Sequence, residues 1–160
     1  MGARKKEKKE IKNMGPIKSE VILCTSSDER YPPSNAVDGK PSTFFITTGN
    51  YPQELILGFK CGCANITKIC LSSNGIRKIK IEKSVESTPS KFETLVECEM
   101  DYKEDSNSSR SNRQLEQFQI NKGTVGNGVR YLKLVLLSGY NEFSAIFDFS
   151  AEGDEVDLDM

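Results

Sequence analysis

Read for the alternation of apolar and polar positions, the chain breaks into short runs of period two. It has no stretch with the 3.6-residue period of a long amphipathic helix. Residues 20–25, with Val21, Ile22 and Leu23 among them, predict a first strand. Residues 54–59 place Leu55, Leu57 and Phe59 on one face, and the pattern resumes at 66–73 after Gly62 breaks it. Asn74-Gly75 is the strongest short turn signal in the chain and predicts a close connection into a strand at 76–83. There Ile79 and Ile81 face one way while Lys78, Lys80 and Glu82 face the other, as in a sheet with one solvated side. Residues 92–100 alternate apolar and acidic side chains, 115–120 return to strand, and 129–138 align Leu132, Leu134 and Leu136. The last run, 143–151, sets Ala145, Phe147 and Phe149 against Ser144, Ile146, Asp148 and Ser150. About eight to nine such runs between turn-rich segments predict an all-β antiparallel β-sandwich, for which a jelly roll is a common connectivity.

The stretch between the first two strands, 25–48, reads TSSDERYPPSNAVDGKPSTFFITT. Pro32 and Pro33 bar a helix and remove backbone donors, Asp38-Gly39 supplies a turn, and Pro41 stiffens the exit toward an apolar anchor at Phe44-Phe45-Ile46. Across this turn the Asp38 carboxylate, the Thr43 hydroxyl and the intervening carbonyls can converge on a hard cation such as calcium, which favours oxygen ligands. A loop of the same composition can equally be a turn satisfied by its own hydrogen bonds. At the level of the residues both readings stand.

Composition narrows the function more than the fold. A chain of 160 residues suits one domain, and a formal net charge of -1 argues against a general polyanion binder and so against nucleic acid. The charge is unevenly placed. Arg4, Lys5, Lys6, Lys8, Lys9 and Lys12 crowd one end against Glu7 and Glu10, whereas Asp154, Glu155, Asp157 and Asp159 close the other. The expected organisation is a basic flexible extension over 1–18, a folded domain over 19–153 and an acidic flexible tail over 154–160. A serine-rich run at Ser106–Asn112 predicts a loop between strands. No apolar run reaches the length of a membrane span and no apolar segment of a secretory signal is seen, so a cytosolic chain without membrane insertion is expected.

The five cysteines, Cys24, Cys61, Cys63, Cys70 and Cys98, are odd in number and read as free thiols. Cys61, Cys63 and Cys70 lack the spacing of paired zinc ligands, and the chain has no histidine to complete a mixed site. Without histidine, acid and base work falls to carboxylates, lysines or cysteines, and none of these sits in a recognisable catalytic arrangement. Gly123, Gly126 and Gly128 lack the strand-to-helix setting of a phosphate-binding loop. The expectation is a protein that is not an enzyme.

Residues 35–45, NAVDGKPSTFF, resemble the N-A-x-D-G-x-x-x-T-x-W signature of discoidin-like domains, also called coagulation factor type C or galactose-binding-like jelly rolls. That resemblance implies a structural calcium ion held by Asp38, Thr43, the carbonyls of Asn35 and Lys40, and, at the end of the final strand, Ala151 and Glu152. The chain departs from the signature at Phe45, where the usual tryptophan is absent. A narrower resemblance rests on Thr25-Ser26-Ser27-Asp28-Glu29 with Pro32-Pro33, on Thr47-Thr48-Gly49 with Pro52-Gln53-Glu54, and on Ser150-Ala151-Glu152-Gly153. These runs are similar to those of a family of intraflagellar transport subunits. Membership implies a non-enzymatic subunit of the intraflagellar transport complex B, paired with a Rab-like small GTPase, intraflagellar transport protein 27, and found in the cytoplasm and the cilium or flagellum. A carbohydrate- or phospholipid-binding module is the alternative that the broader resemblance implies, with Tyr51 and Tyr140 as its candidate contacts.

Overall fold

The computed structural model describes residues 15–48, 50–102, 113–121 and 123–157. The basic stretch before Gly15, the serine-rich Ser106–Asn112 run and the last three residues of the acidic tail lie outside the described residues. Nine strands follow in order among them: β1 (Ser19–Cys24), β2 (Phe45–Ile46), β3 (Gln53–Phe59), β4 (Ala64–Asn74), β5 (Ile76–Ser84), β6 (Glu93–Glu99), β7 (Gln114–Gln119), β8 (Tyr131–Gly139) and β9 (Ala145–Glu155), with a 3-10 turn at Pro33–Ala36. They form two antiparallel sheets, β1-β3-β8-β5-β6 and β2-β9-β4-β7. None of the described helices is long and apolar enough to cross a membrane.

The core lies between the sheets and is built from the alternation seen in the sequence. Ile79 and Ile81 of β5, Leu132, Leu134 and Leu136 of β8, and Leu55, Leu57 and Phe59 of β3 are all buried, facing Ile66, Ile69 and Leu71 of β4 and Phe149 and Ala151 of β9. Each fully buried aliphatic or aromatic side chain contributes about 1.5–3 kcal/mol relative to an exposed one. The predicted one-sided pattern of β3 is incomplete, since Ile56 on its outer face is buried too.

Asn74-Gly75 makes the close connection expected of it, into β5 at Ile76; β4 and β5 belong to different sheets, and the chain crosses between them at Gly75, whose φ of 82° suits a residue without a Cβ. Other expectations need correction. In β9 the expected face of Ala145, Phe147 and Phe149 is split. Ser72 pairs with Asp148 but Ser73 with Ile146, so Phe147 is an extra residue, and the buried set becomes Ile146, Phe149 and Ala151. The strand expected over 115–120 is β7, which begins one residue earlier; its Leu115 is 70% exposed, while the polar Gln114 before it is 2% exposed. The expected boundaries also shift. Ile17 is buried in the core, inside the expected basic extension, and β9 runs on to Glu155 beside Ala64, past the boundary expected after Gly153.

Gln114 explains its own burial. Its side-chain Oε1 accepts from the Ile76 N–H (3.1 Å) and its Nε2 donates to the Ile76 carbonyl (2.6 Å) and to that of Asp101 (3.0 Å). Ile76 lies just past the crossing, where a backbone pair would otherwise be left without partners in the interior.

Candidate functional site

The 25–48 loop is built from local hydrogen bonds. Pro33–Ala36 forms one 3-10 turn, in which the Asn35 N–H donates to Pro32 and the Val37 N–H to Ser34, burying Ala36 beneath it. Gly39, with φ of 73°, then turns the chain so that Asp38 looks back along it. Its Oδ1 accepts from the Lys40 N–H (2.9 Å) and its Oδ2 from the Thr43 hydroxyl (2.6 Å), while the Thr43 N–H donates to the Lys40 carbonyl (3.3 Å). Asn35 donates its amide to the Phe44 carbonyl (3.0 Å) and so closes the loop. Phe45 enters the core as the anchor that the usual tryptophan would supply. Phe44 stacks on Tyr31 with centroids 4.8 Å apart and meets Phe147 at 5.5 Å, and the Arg113 guanidinium covers Phe147 at 3.9 Å.

Asp38, Lys40 and Thr43 therefore converge, whereas Asn35 belongs to the preceding 3-10 turn. Ala151 and Glu152 are engaged elsewhere. The Ala151 carbonyl accepts from the Ile17 N–H (2.8 Å), and the Glu152 carboxylate meets the Lys68 ammonium at 3.3 Å, beside the Cys70 thiol at 3.8 Å. Neither residue lines the cavity of about 220 Å³ in front of Asp38, which is bounded by Pro16, Val37, Gly39, Asp148 and Ser150. The carboxylate facing Asp38 is Asp148, which sequence reasoning did not single out. The signal available was the period of two: Asp148, Ser150 and Glu152 share the outer face of β9, and the extra residue at Phe147 decides which of them meets the loop.

The two carboxylates are tuned in opposite directions. Burial pushes the Asp38 carboxyl up, but hydrogen bonds from the Thr43 hydroxyl and the Lys40 N–H, with the Lys40 charge, outweigh it and leave its pKa below the usual range. Burial raises Asp148, the hydrogen bond from Ser150 (2.8 Å) offsets part of that, and the Asp38 charge adds to it, so its pKa stays above the usual range.

The two motif runs 25–33 and 47–54 interlock at one end of the sandwich. Thr25 receives and returns hydrogen bonds with Glu54 and Gln53, and the Thr48 N–H donates to the Ser26 hydroxyl (3.2 Å). Arg30 of the first run and Thr47, Thr48, Asn50 and Tyr51 of the second line one side of an open cavity of about 900 Å³, whose other side is the 139–143 turn. Tyr51 at its floor places its hydroxyl against the Asn141 carbonyl (3.1 Å) and the Ser144 hydroxyl (2.5 Å). The Tyr140 hydroxyl is likewise turned inward, to the Met100 carbonyl (2.6 Å). All five cysteines are free, and burial pushes the thiols of Cys24, Cys61, Cys70 and Cys98 up, away from reactive thiolates. Among the described residues no three His, Cys, Asp or Glu side chains cluster to hold a metal.

An antiparallel jelly roll with an oxygen-rich loop against β9 defines the galactose-binding-like fold. Solved structures agree on the fold. The family 32 carbohydrate-binding module of C. perfringens NanJ, solved with galactose, superposes with a TM-score of 0.65 at 15% identity, covering 84% of this chain and 93% of that one. The N-terminal domain of the single-strand break repair protein XRCC1 gives 0.70 at 14% identity, covering 88% and 100%. No family model matches the chain. Sequence comparison is more specific. The chain is 36% identical over 138 residues to the human intraflagellar transport protein 25 homolog, covering 86% of this chain and 88% of that protein. It is 36% identical over 136 residues to intraflagellar transport protein 25 of Chlamydomonas reinhardtii, covering 84% of this chain and 65% of that one. The chain thus spans about two thirds of the algal relative and most of the human one, and it belongs to the intraflagellar transport protein 25 family.

Proposed function

We propose that this chain is a non-enzymatic subunit of the intraflagellar transport complex B that pairs, through a surface of its sandwich, with a Rab-like small GTPase in the cytoplasm and cilium. The observation that carries this reading is the 36% identity extending over 84–86% of the chain to proteins named for intraflagellar transport. The test is affinity purification of the tagged full chain from ciliated cells, with identification of the bound chains. Recovery of a small GTPase together with transport-complex subunits is expected; recovery of neither overturns the reading.

Within this role we propose a structural calcium ion at the 25–48 loop. Asp38, the Thr43 hydroxyl and the Lys40 carbonyl already lie within hydrogen-bond distance of one another, and hard oxygen donors of this kind suit calcium. The Asn35 carbonyl, from the preceding 3-10 turn, would complete the loop's share of the ligands. Ala151 and Glu152 carry other bonds, to Ile17 and Lys68, and we propose that Asp148, across the cavity from Asp38, supplies a second carboxylate. The ion would neutralise two facing carboxylates and pin the loop to the last strand.

A carbohydrate- or phospholipid-binding role has the 900 Å³ cavity in its favour. The hydroxyls of Tyr51 and Tyr140, however, are committed to protein partners. A glycan array and liposome flotation that both show nothing dispose of it.

A further inference from the structure

Among the described strands four lie at sheet edges, and three of these are guarded. β2 is two residues long, β1 carries a bulge between Val21 and Leu23, and β6 carries an extra residue at Leu95 together with Glu93, Glu97 and Glu99. Short length, bulges and charge are the devices that keep a sheet edge from pairing with another chain. β7 is different: its six residues pair with β4 in unbroken register, and Glu116 is its one charge. The Ile120 N–H donates to Thr67 on the β4 side, so by alternation Phe118 and Glu116 also bond to β4. The N–H and carbonyl groups of Leu115, Gln117 and Gln119 therefore point to the open edge, where no described strand pairs with them. All three residues are exposed, Leu115 at 70%, and Leu115 stands between two grooves of about 480 and 500 Å³.

We propose that β7 is a docking edge for an extended segment of a partner protein, which adds to the sheet as an antiparallel strand with the pattern apolar-any-basic-apolar. In such an addition backbone groups supply the affinity and facing side chains the sequence preference. Taken from the N-terminus of the segment, its residues stand opposite Phe118, Gln117, Glu116 and Leu115. Phe118 is partly buried against the core and Leu115 is bare, so each takes an apolar neighbour. The Glu116 charge reaches the Cys98 thiol of β6, and among the described residues Glu116 has no ion pair. A lysine or arginine directly opposite would place its Cβ about 5 Å from that of Glu116, on the same face of the sheet. A second copy of this chain cannot supply that cation from an edge, because β1, β2, β6 and β7 contain no lysine or arginine. The proposal goes beyond the transport reading and names the segment whatever protein carries it.

Selection of random peptides displayed on phage against the immobilised full chain tests it. Gln117→Pro is the blocking variant: it removes a donor from the open edge and leaves the Glu116 and Phe118 bonds to β4 in place. Enriched peptides are expected to carry the apolar-any-basic-apolar pattern and to shift the amides of Leu115, Gln117 and Gln119. They should bind Gln117→Pro about tenfold more weakly. On Glu116→Lys the preferred residue at the basic position is expected to become Asp or Glu, a readout that stands even where Gln117→Pro fails to fold. No enrichment, an unchanged preference on Glu116→Lys, or equal binding to a folded Gln117→Pro overturns the proposal. So does a dimer of the full chain seen by sedimentation and lost in either variant, which would assign the edge to a second copy. Because the probe is a peptide library, failure here leaves the transport reading untouched.

Discussion

The side-chain amide of Gln114 closes a two-point hydrogen bond on the backbone of Ile76, reproducing across the gap between the sheets the pairing that a neighbouring strand would offer. Both partners are buried, Gln114 at 2% and Ile76 at 0% exposure. Replacing Gln114 with leucine keeps the volume but strands the Ile76 N–H and carbonyl. Each buried group left unpaired costs about 1–3 kcal/mol, so a loss of about 2–6 kcal/mol is expected from urea unfolding of Gln114→Leu. A loss within experimental error would show that water or another group takes over the pairing.

Gly153 faces the facing strand at a point where no side chain fits. A Cβ there would overlap the Asn65 carbonyl oxygen and crowd the Ile66 Cα, both backbone atoms of β4. Gly153→Ala must therefore push β9 away from β4, at a cost of about 1–3 kcal/mol typical of overpacking. Hydrogen exchange is expected to speed up at Asn65 and Ile66 in particular, and protection equal to that of the unaltered chain would refute the contact.

Stability should pass through two opposed phases as acid is added. Asp148, buried and beside Asp38, has a folded pKa above its unfolded value. Its charge therefore opposes folding at neutral pH, and the penalty disappears as pH falls through the raised pKa. Asp38, held ionised by Thr43 and Lys40, has a folded pKa below its unfolded value. The stability it contributes is present above the unfolded pKa and is lost as pH falls through the depressed one. Urea unfolding across pH, without divalent cations, is expected to show Asp148→Asn more stable than the unaltered chain near neutrality, with the difference closing in mild acid. Asp38→Asn should be less stable at neutrality and should converge only at lower pH. A neutral-pH loss for Asp148→Asn would contradict the assignment.

The calcium ion proposed at the loop is expected to reverse the balance at Asp148. If the ion binds only the folded chain, it adds about 2.7 kcal/mol at a hundred times its dissociation constant. The melting temperature of the unaltered chain should rise with calcium, that of Asp38→Ala should not, and Asp148→Asn should respond less. An equal response in all three places the ion elsewhere.

Much of the fold was legible in the sequence because a sheet facing a core imposes a strict period of two. Ile79 and Ile81, and Leu132, Leu134 and Leu136, sit where that period puts them. The features that escaped it are those where the period is broken or a polar residue is buried. Asn74-Gly75 marks a turn, but local sequence cannot say whether the next strand joins the same sheet or the opposite one. Phe147 is one residue too many, and only pairing with Ser72 and Ser73 reveals it. Gln114 looks like a surface residue until its partner at Ile76 is known. In the loop, Asp38 and Thr43 were legible because they meet through a local turn. Asp148 was not, because its meeting with Asp38 depends on that same extra residue.

β9 is both the last strand of the chain and an interior member of its sheet, pairing with β2 on one side and β4 on the other and reaching back to Ile17. During synthesis the chain cannot close its core until that strand has left the ribosome. Until then β4 has an unfilled edge and Ile66, Ile69 and Leu71 lack their cover. Contacts so distant in sequence form slowly and leave apolar surface exposed meanwhile. A chain ended before Ala145 would lose the centre of one sheet rather than its margin, and should be recovered as aggregate rather than as a smaller folded domain.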